Sequence, residues 1–169
     1  MKPILLFVCV FSIFSACAQD KSQRPSPPDS VKATLKTGAT VSINYSQPAV
    51  KGRTIGSDLE PMPGKVWRTG ANEATVFESD KNIKVEGKDL PAGKYGLFTI
   101  ANGSDWTIIF NKTWNQWGAF TYKDADDALR VKVKAGKAPA FAERMKFNIS
   151  ADGKITLLWG DIDVHFNVE

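Results

Sequence analysis

Val41-Ser42-Ile43-Asn44-Tyr45-Ser46 is the stretch that decides the fold class. Apolar and small polar residues alternate with a period of two, so one side of the chain belongs in a core and the other in water, as in a half-buried strand. The same pattern recurs further along. Leu129, Val131 and Val133 alternate with Arg130, Lys132 and Lys134, and Ile162, Val164, Phe166 and Val168 alternate with Asp161, Asp163, His165 and Asn167. Trp106 to Phe110 (WTIIF) is apolar on both sides and predicts a central strand. Turn signals separate these runs, among them Lys36-Thr37-Gly38, Pro91-Ala92-Gly93, Asn102-Gly103 and Asp152-Gly153. No stretch keeps a helical stripe, and Lys123 to Leu129 allows one helical turn at most. The expected fold is all-β: an antiparallel β-sandwich or jelly-roll-like barrel of about nine or ten short strands, with little or no helix and no internal repeat.

Before this domain lies a different kind of sequence. Lys2 precedes an almost unbroken apolar run from Pro3 to Phe14, and Ser15-Ala16-Cys17-Ala18-Gln19 supplies small residues. That is the layout of a secretory signal peptide over residues 1–18. The apolar run is well short of the roughly twenty residues that span a bilayer. Cys17 has two readings: Phe14-Ser15-Ala16-Cys17 resembles a lipobox, with cleavage before an acylated Cys17, while Ala16-Cys17-Ala18 also suits ordinary cleavage before Gln19. In the lipoprotein reading, Ala18 after the cysteine favours the outer membrane. Residues 19–30 read as a proline-rich linker, whose nine residues from Ser22 would reach roughly 28 Å if polyproline-like. Residues 31–169 then form a single β domain. Cys9 and Cys17 both fall in the leader, so the domain holds no cysteine and must rest on packing alone. The expected location is periplasm or outer membrane, with the membrane met only through Cys17. The net charge of +4 suits an anionic envelope surface, and nucleic acid is not an expected partner of an exported chain.

Three groups of residues are candidates for chemistry. Gly64 to Thr75 (GKVWRTGANEAT) breaks the alternation and places Trp67, Arg68, Asn72 and Glu73 around two glycines. Upstream, Arg53 sits in an irregular, proline-flanked region. Guanidiniums on such loops can build a planar, bidentate site for a carboxylate or phosphate. The alternative is that Arg53 and Arg68 pair internally with Asp58, Glu60 or Glu73 and pin the loop. Asn111 to Tyr122 (NKTWNQWGAFTY) holds Trp114 and Trp117, and Trp117 beside amides resembles a sugar-stacking platform. The competing expectation is core packing of at least one of the two indoles. Asp161, Asp163 and His165 share one side of a strand, which is what a solvated face looks like, and a lone histidine makes a poor zinc site. Arg130, Lys132 and Lys134, with Lys137 beyond, read as a solubilising or edge-protecting stripe. There is no phosphate loop, G-x-S-x-G elbow, H-E-x-x-H or C-x-x-C. No metal or cofactor is expected, and no catalytic residue is assigned.

The chain resembles the bacterial family of unknown function DUF2911 from about Val41 to Trp159. The resemblance is carried by Val50-Lys51-Gly52-Arg53, Val66-Trp67-Arg68-Thr69-Gly70-Ala71-Asn72-Glu73-Ala74-Thr75, Leu90-Pro91-Ala92-Gly93-Lys94-Tyr95, Trp106-Thr107-Ile108-Ile109-Phe110-Asn111, Gln116-Trp117-Gly118 and Leu129-Arg130-Val131. It implies an exported or lipid-anchored, β-rich envelope protein with no assigned activity. The chain departs from the family pattern at Gln47, where members often have arginine, and between Ile55 and Gly56, where an aromatic is often found. Together these observations predict a non-catalytic envelope domain that binds a polar, anionic or saccharide ligand through Arg53, Trp67, Arg68, Asn72, Glu73 and Trp117. A structural or assembly role in the envelope is the alternative, and a carboxylate-based hydrolase a more distant one.

Overall fold

The computed structural model describes residues 20–169, so the leader, the cleavage site and both readings of Cys17 lie outside the described residues. The described chain is all-β. Its strands are β1 (Pro28–Thr34), β2 (Thr40–Ser46), β3 (Val66–Trp67), β4 (Thr75–Ser79), β5 (Ile83–Val85), β6 (Lys88–Leu90), β7 (Gly93–Asn102), β8 (Asp105–Asn111), β9 (Asp127–Ile149) and β10 (Lys154–Asn167). One antiparallel sheet runs β1-β2-β4-β7-β8-β9-β10, with β3 added on β7, and β5 and β6 form a separate two-stranded ribbon. The Lys123–Leu129 segment contributes a single 3-10 turn at Asp124–Asp126.

The alternation predicts the faces correctly. Val41, Ile43 and Tyr45 of β2 are buried while Asn44 is exposed, and β8 lies between β7 and β9 with Trp106, Ile108, Ile109 and Phe110 all buried. Two strands are longer than the alternation alone suggests. β9 runs for 23 residues and β10 for 14, because bulges near Gly160 shift their register from Leu158↔Lys146 to Ile162↔Lys137. A bulge interrupts the period of two without ending the strand. It also bends β9. Its first half pairs with β8, and its second half returns to the residues just after β2, where Val50 N–H donates to Glu143 O at 2.9 Å and Met145 N–H to Pro48 O at 3.0 Å. The sheet thus curls towards closure around an aromatic core in which Phe110 meets Phe77 and Phe166 edge-on at 5.0 and 6.0 Å.

The proline-rich stretch differs from its reading as a free spacer. Lys21–Gln23 form a 3-10 turn, and β1 starts at Pro28, inside the segment read as linker. Proline is tolerated there because β1 is an edge strand and its first residue needs no inward N–H. Pro28 pairs with Ser46, and Gln47 N–H donates to Pro27 O at 2.9 Å. The N-terminal segment is therefore part of the domain surface.

Candidate functional site

The six candidate residues separate into two neighbouring groups. Arg53, Trp67 and Arg68 line one cavity of about 180 Å³, together with Glu60, Trp159 and Ser26. Asn72, Glu73 and Trp117 lie outside that cavity and hold the N-terminal segment beside it.

The cavity begins with the sequence Trp67-Arg68-Thr69-Gly70. β3 ends at Trp67, whose indole is buried and donates Nε1–H to Gly70 O at 3.0 Å. Thr69 then turns the chain at φ +53°, a left-handed conformation that is a genuine outlier for a β-branched residue. Its cost is met by a buried network: Thr69 Oγ1–H donates within 3.3 Å of Trp67 O and 3.1 Å of Thr99 Oγ1, and Thr69 O accepts from Thr75 Oγ1 at 2.8 Å. Gly70 must be small, since a Cβ there would lie 2.8 Å from Thr75 Oγ1 and 3.2 Å from Ser46 O. Strain held by surrounding packing is a recurrent mark of functional segments, and here it turns Arg68 towards the cavity.

Arg68 is half-buried, and its Nε is fully enclosed with no hydrogen-bond partner among the described residues. Burial holds its pKa below the usual guanidinium value, against the opposing pull of the Glu60 charge. Arg53 reaches the same cavity from the other side. Its Nε–H and Nη2–H donate to Val50 O at 3.1 Å and Ala49 O at 2.8 Å, which pins the guanidinium plane and leaves Nη1 without a partner among the described residues. The far wall is Trp159, whose Nε1–H donates to Glu60 O at 2.8 Å.

The internal-pairing alternative is not what the described residues adopt. Asp58 Oδ2 accepts the Thr54 N–H at 3.0 Å, Glu60 Oε2 accepts the Met62 N–H at 2.7 Å, and Glu73 pairs with Lys21 and Arg24. Among the described ion pairs, none involves Arg53 or Arg68.

Glu73 anchors the second group. Arg24 Nη1 lies 3.0 and 3.1 Å from its two oxygens, and Lys21 Nζ 3.1 Å from Oε1. Burial pushes the Glu73 carboxyl up, but the hydrogen bonds from its own backbone, Arg24 and Lys21 outweigh this and hold it at about 2. Asn72, itself at φ +59°, donates Nδ2–H to Ser26 O at 3.0 Å, and Arg144 Nη1–H donates to Pro25 O at 3.3 Å. Ser26 lines the cavity, so this strap forms one of its walls. Trp117 joins Glu73 through an isolated backbone bridge and carries the Arg24 guanidinium over its ring.

The expected core packing of one indole is overturned. Trp114 and Trp117 are both exposed, because the segment from Lys112 to Lys123 is a loop and not a strand. Ala119 and Tyr122 instead pack against the small buried cluster of Ala74, Phe98 and Ile109. Asp161 and His165 are exposed, with His165 Nδ1 3.6 Å from Asp163 Oδ1. His165 lines a separate open groove of about 520 Å³ with Lys132, Lys134 and Glu86. Arg130 is tied to Asp127 at 2.6 Å, and Lys134 pairs with Asp105.

Arg24, Ser26 and Trp159 escape a reading by sequence. The first two sit in a stretch with linker composition, and Trp159 fits the inward alternation of Ile155 and Leu157, which signals core and nothing more.

A family model described as "Protein of unknown function (DUF2911)" matches residues 26–168. No curated protein and no solved structure matches the chain.

Proposed function

The chain belongs to the DUF2911 family, and from that premise we propose that its Arg53–Arg68 cavity is a non-catalytic binding site for a small anion bearing carboxylate- or phosphate-type oxygens. The observation that carries the reading is the half-buried Arg68 guanidinium, which lines the cavity and has no ion-pair partner among the described residues. Leaving a buried charged donor unpaired is expensive, and such groups are normally matched by a partner or a ligand. A planar guanidinium fork recognises oxyanions through paired N–H···O bonds, and Arg53, its plane fixed by the Val50 and Ala49 carbonyls, adds its Nη1 donors. Trp67 and Trp159 supply apolar walls that would strengthen those bonds by excluding water.

The volume restricts the ligand. About 180 Å³ is smaller than the roughly 300–1,000 Å³ of typical small-molecule sites, so the bound group is a small acid or the acidic end of a larger molecule. Binding without catalysis is favoured because the chain's one histidine, His165, lines a different groove and Glu60 Oε2 is already engaged. The leader sequence supports an exported setting in the periplasm or at the outer membrane, where such a domain would meet envelope-derived acids.

Isothermal titration of the protein with acetate, lactate and inorganic phosphate tests the proposal. Saturable binding of at least one, weakened about tenfold or more in Arg68→Ala and partly retained in Arg68→Lys, is the expected result. Equal binding by the wild type and Arg68→Ala would overturn it.

A further inference from the structure

A second surface, beside the anion cavity, carries an inference about what the domain rests against. Trp114, Trp117 and Phe120 are 38%, 55% and 84% exposed, and all three stand on the one loop between Lys112 and Lys123. The Phe120 ring folds back over Gly118, where an added Cβ would lie 3.0 Å from it, so Phe120 and Trp117 lie on neighbouring parts of the surface. The loop is stiff. Gln116 Nε2–H donates to Thr113 O at 2.7 Å, Thr121 Oγ1–H to Gln116 Oε1 at 3.0 Å, and Tyr122 packs on Phe98 with centroids 5.0 Å apart. A soluble protein does not ordinarily hold three large aromatics in water on a rigid loop without a partner.

Two observations identify the partner. First, each indole is capped by a cation: Arg24 over Trp117 at 6.0 Å and Lys94 over Trp114 at 5.4 Å. One face of each ring is thus taken by a cation. Each exposed indole thus stands beside a cationic head, the composition of a membrane–water interface. Second, the chain's own entry point is here. Lys21 and Arg24 are clamped on Glu73, and Glu73 is bridged to Trp117. The apolar leader ends just upstream of Asp20, and Cys17 precedes Asp20 by three residues, a reach of about 10 Å at most.

We propose that the Trp114–Trp117–Phe120 loop is the face by which this domain seats on a lipid bilayer, on the side where Lys21 and Arg24 are clamped, a proposal that rests on the exported reading of the leader. The aromatics enter the headgroup region while Lys112 and Lys123 flank them. Glu73 pairs with Lys21 and Arg24 and Glu78 with Lys94, which matches much of the local positive charge, so aromatic insertion and not charge drives the contact.

The test uses the full chain with phosphatidylcholine vesicles, with and without phosphatidylglycerol, carrying a quencher on the lipid either near the headgroup or deep in the acyl chain. Trp67, Trp106 and Trp159 are at most 2% exposed and the leader has no tryptophan, so lipid quenching reports Trp114 and Trp117. The proposal expects shallow-label quenching in both vesicle types, little deep-label quenching, and loss of the signal in the Trp114→Phe/Trp117→Phe variant. Phe120→Ser, at a side chain already in solvent, should reduce shallow quenching several-fold while leaving thermal unfolding unchanged. Absence of quenching, with or without vesicle association, would overturn it. So would quenching confined to anionic vesicles, or an equal emission change on adding free glycans.

Discussion

Tyr45 and Phe147, 102 residues apart, are joined twice: the Phe147 backbone N–H donates to the Tyr45 hydroxyl at 3.1 Å, and the two rings meet edge-on with centroids 5.0 Å apart. The same hydroxyl donates to Asp29 Oδ2 at 2.6 Å, so one phenol links β1, β2 and β9 where the curled sheet approaches closure. Burial first, and then the Asp29 carboxylate, push the Tyr45 pKa up to about 12. Tyr45→Phe leaves the Phe147 N–H unpaired in the core and should cost about 1–3 kcal/mol in urea unfolding. The raised value also sets a pH dependence. Its stabilisation is fully present below the ordinary tyrosine value near 10 and is lost as pH rises through about 12, and Tyr45→Phe should flatten that alkaline loss.

Arg68→Met keeps the side-chain volume and removes the charge. With no oxyanion present, the loss of a half-buried, unpartnered guanidinium should leave stability unchanged or raise it by about 1 kcal/mol. Denaturation in the presence of the bound acid should show the opposite order, because only the wild type gains from the ligand. A large destabilisation of Arg68→Met without ligand would make Arg68 a structural clamp instead.

Glu73→Gln should release the N-terminal strap. The carboxyl titrates near 2, below its ordinary 4.5, so the strap's contribution is complete above about 4.5 and fades as pH falls towards 2. Salt will weaken it further, since the carboxylate is partly exposed. The variant should show faster tryptic cleavage after Lys21 at neutral pH, and its unfolding midpoint should vary less between pH 4.5 and 2 than that of the wild type.

Gly153 and Gly87 separate close approach from conformational freedom. Both have positive φ, +91° and +76°, but an added Cβ at Gly153 would lie 1.8 Å from Val168 O while at Gly87 nothing lies within 4 Å. Gly153→Ala should cost about 2–4 kcal/mol and Gly87→Ala about 1 kcal/mol, read by thermal unfolding.

Local pattern carried a great deal of this protein. The alternation at Val41–Ser46 and Leu129–Lys134 requires strands, because a strand's two faces meet different solvents whatever it pairs with. The irregular run through Trp67, Arg68 and Thr69 marks a segment that no strand can absorb. By contrast, the sequence leaves Trp117 between a stacking platform and a core position, since an aromatic's burial depends on what covers it. Arg24 and Ser26 were hidden in a stretch whose prolines and polar residues look like any spacer.

The sequence by itself therefore determined the fold class, the faces of the main strands, the family and the residue types available for recognition. The tertiary structure alone decided that Arg53 and Arg68 share a cavity with Glu60 and Trp159, that Asn72, Glu73 and Trp117 hold a strap beside it, and that Arg68 Nε has no hydrogen-bond partner among the described residues. The reason is physical: periodicity is a property of neighbours in the chain, whereas a guanidinium's partners are chosen by a bulged strand that brings Trp159 back across about a hundred residues to Glu60.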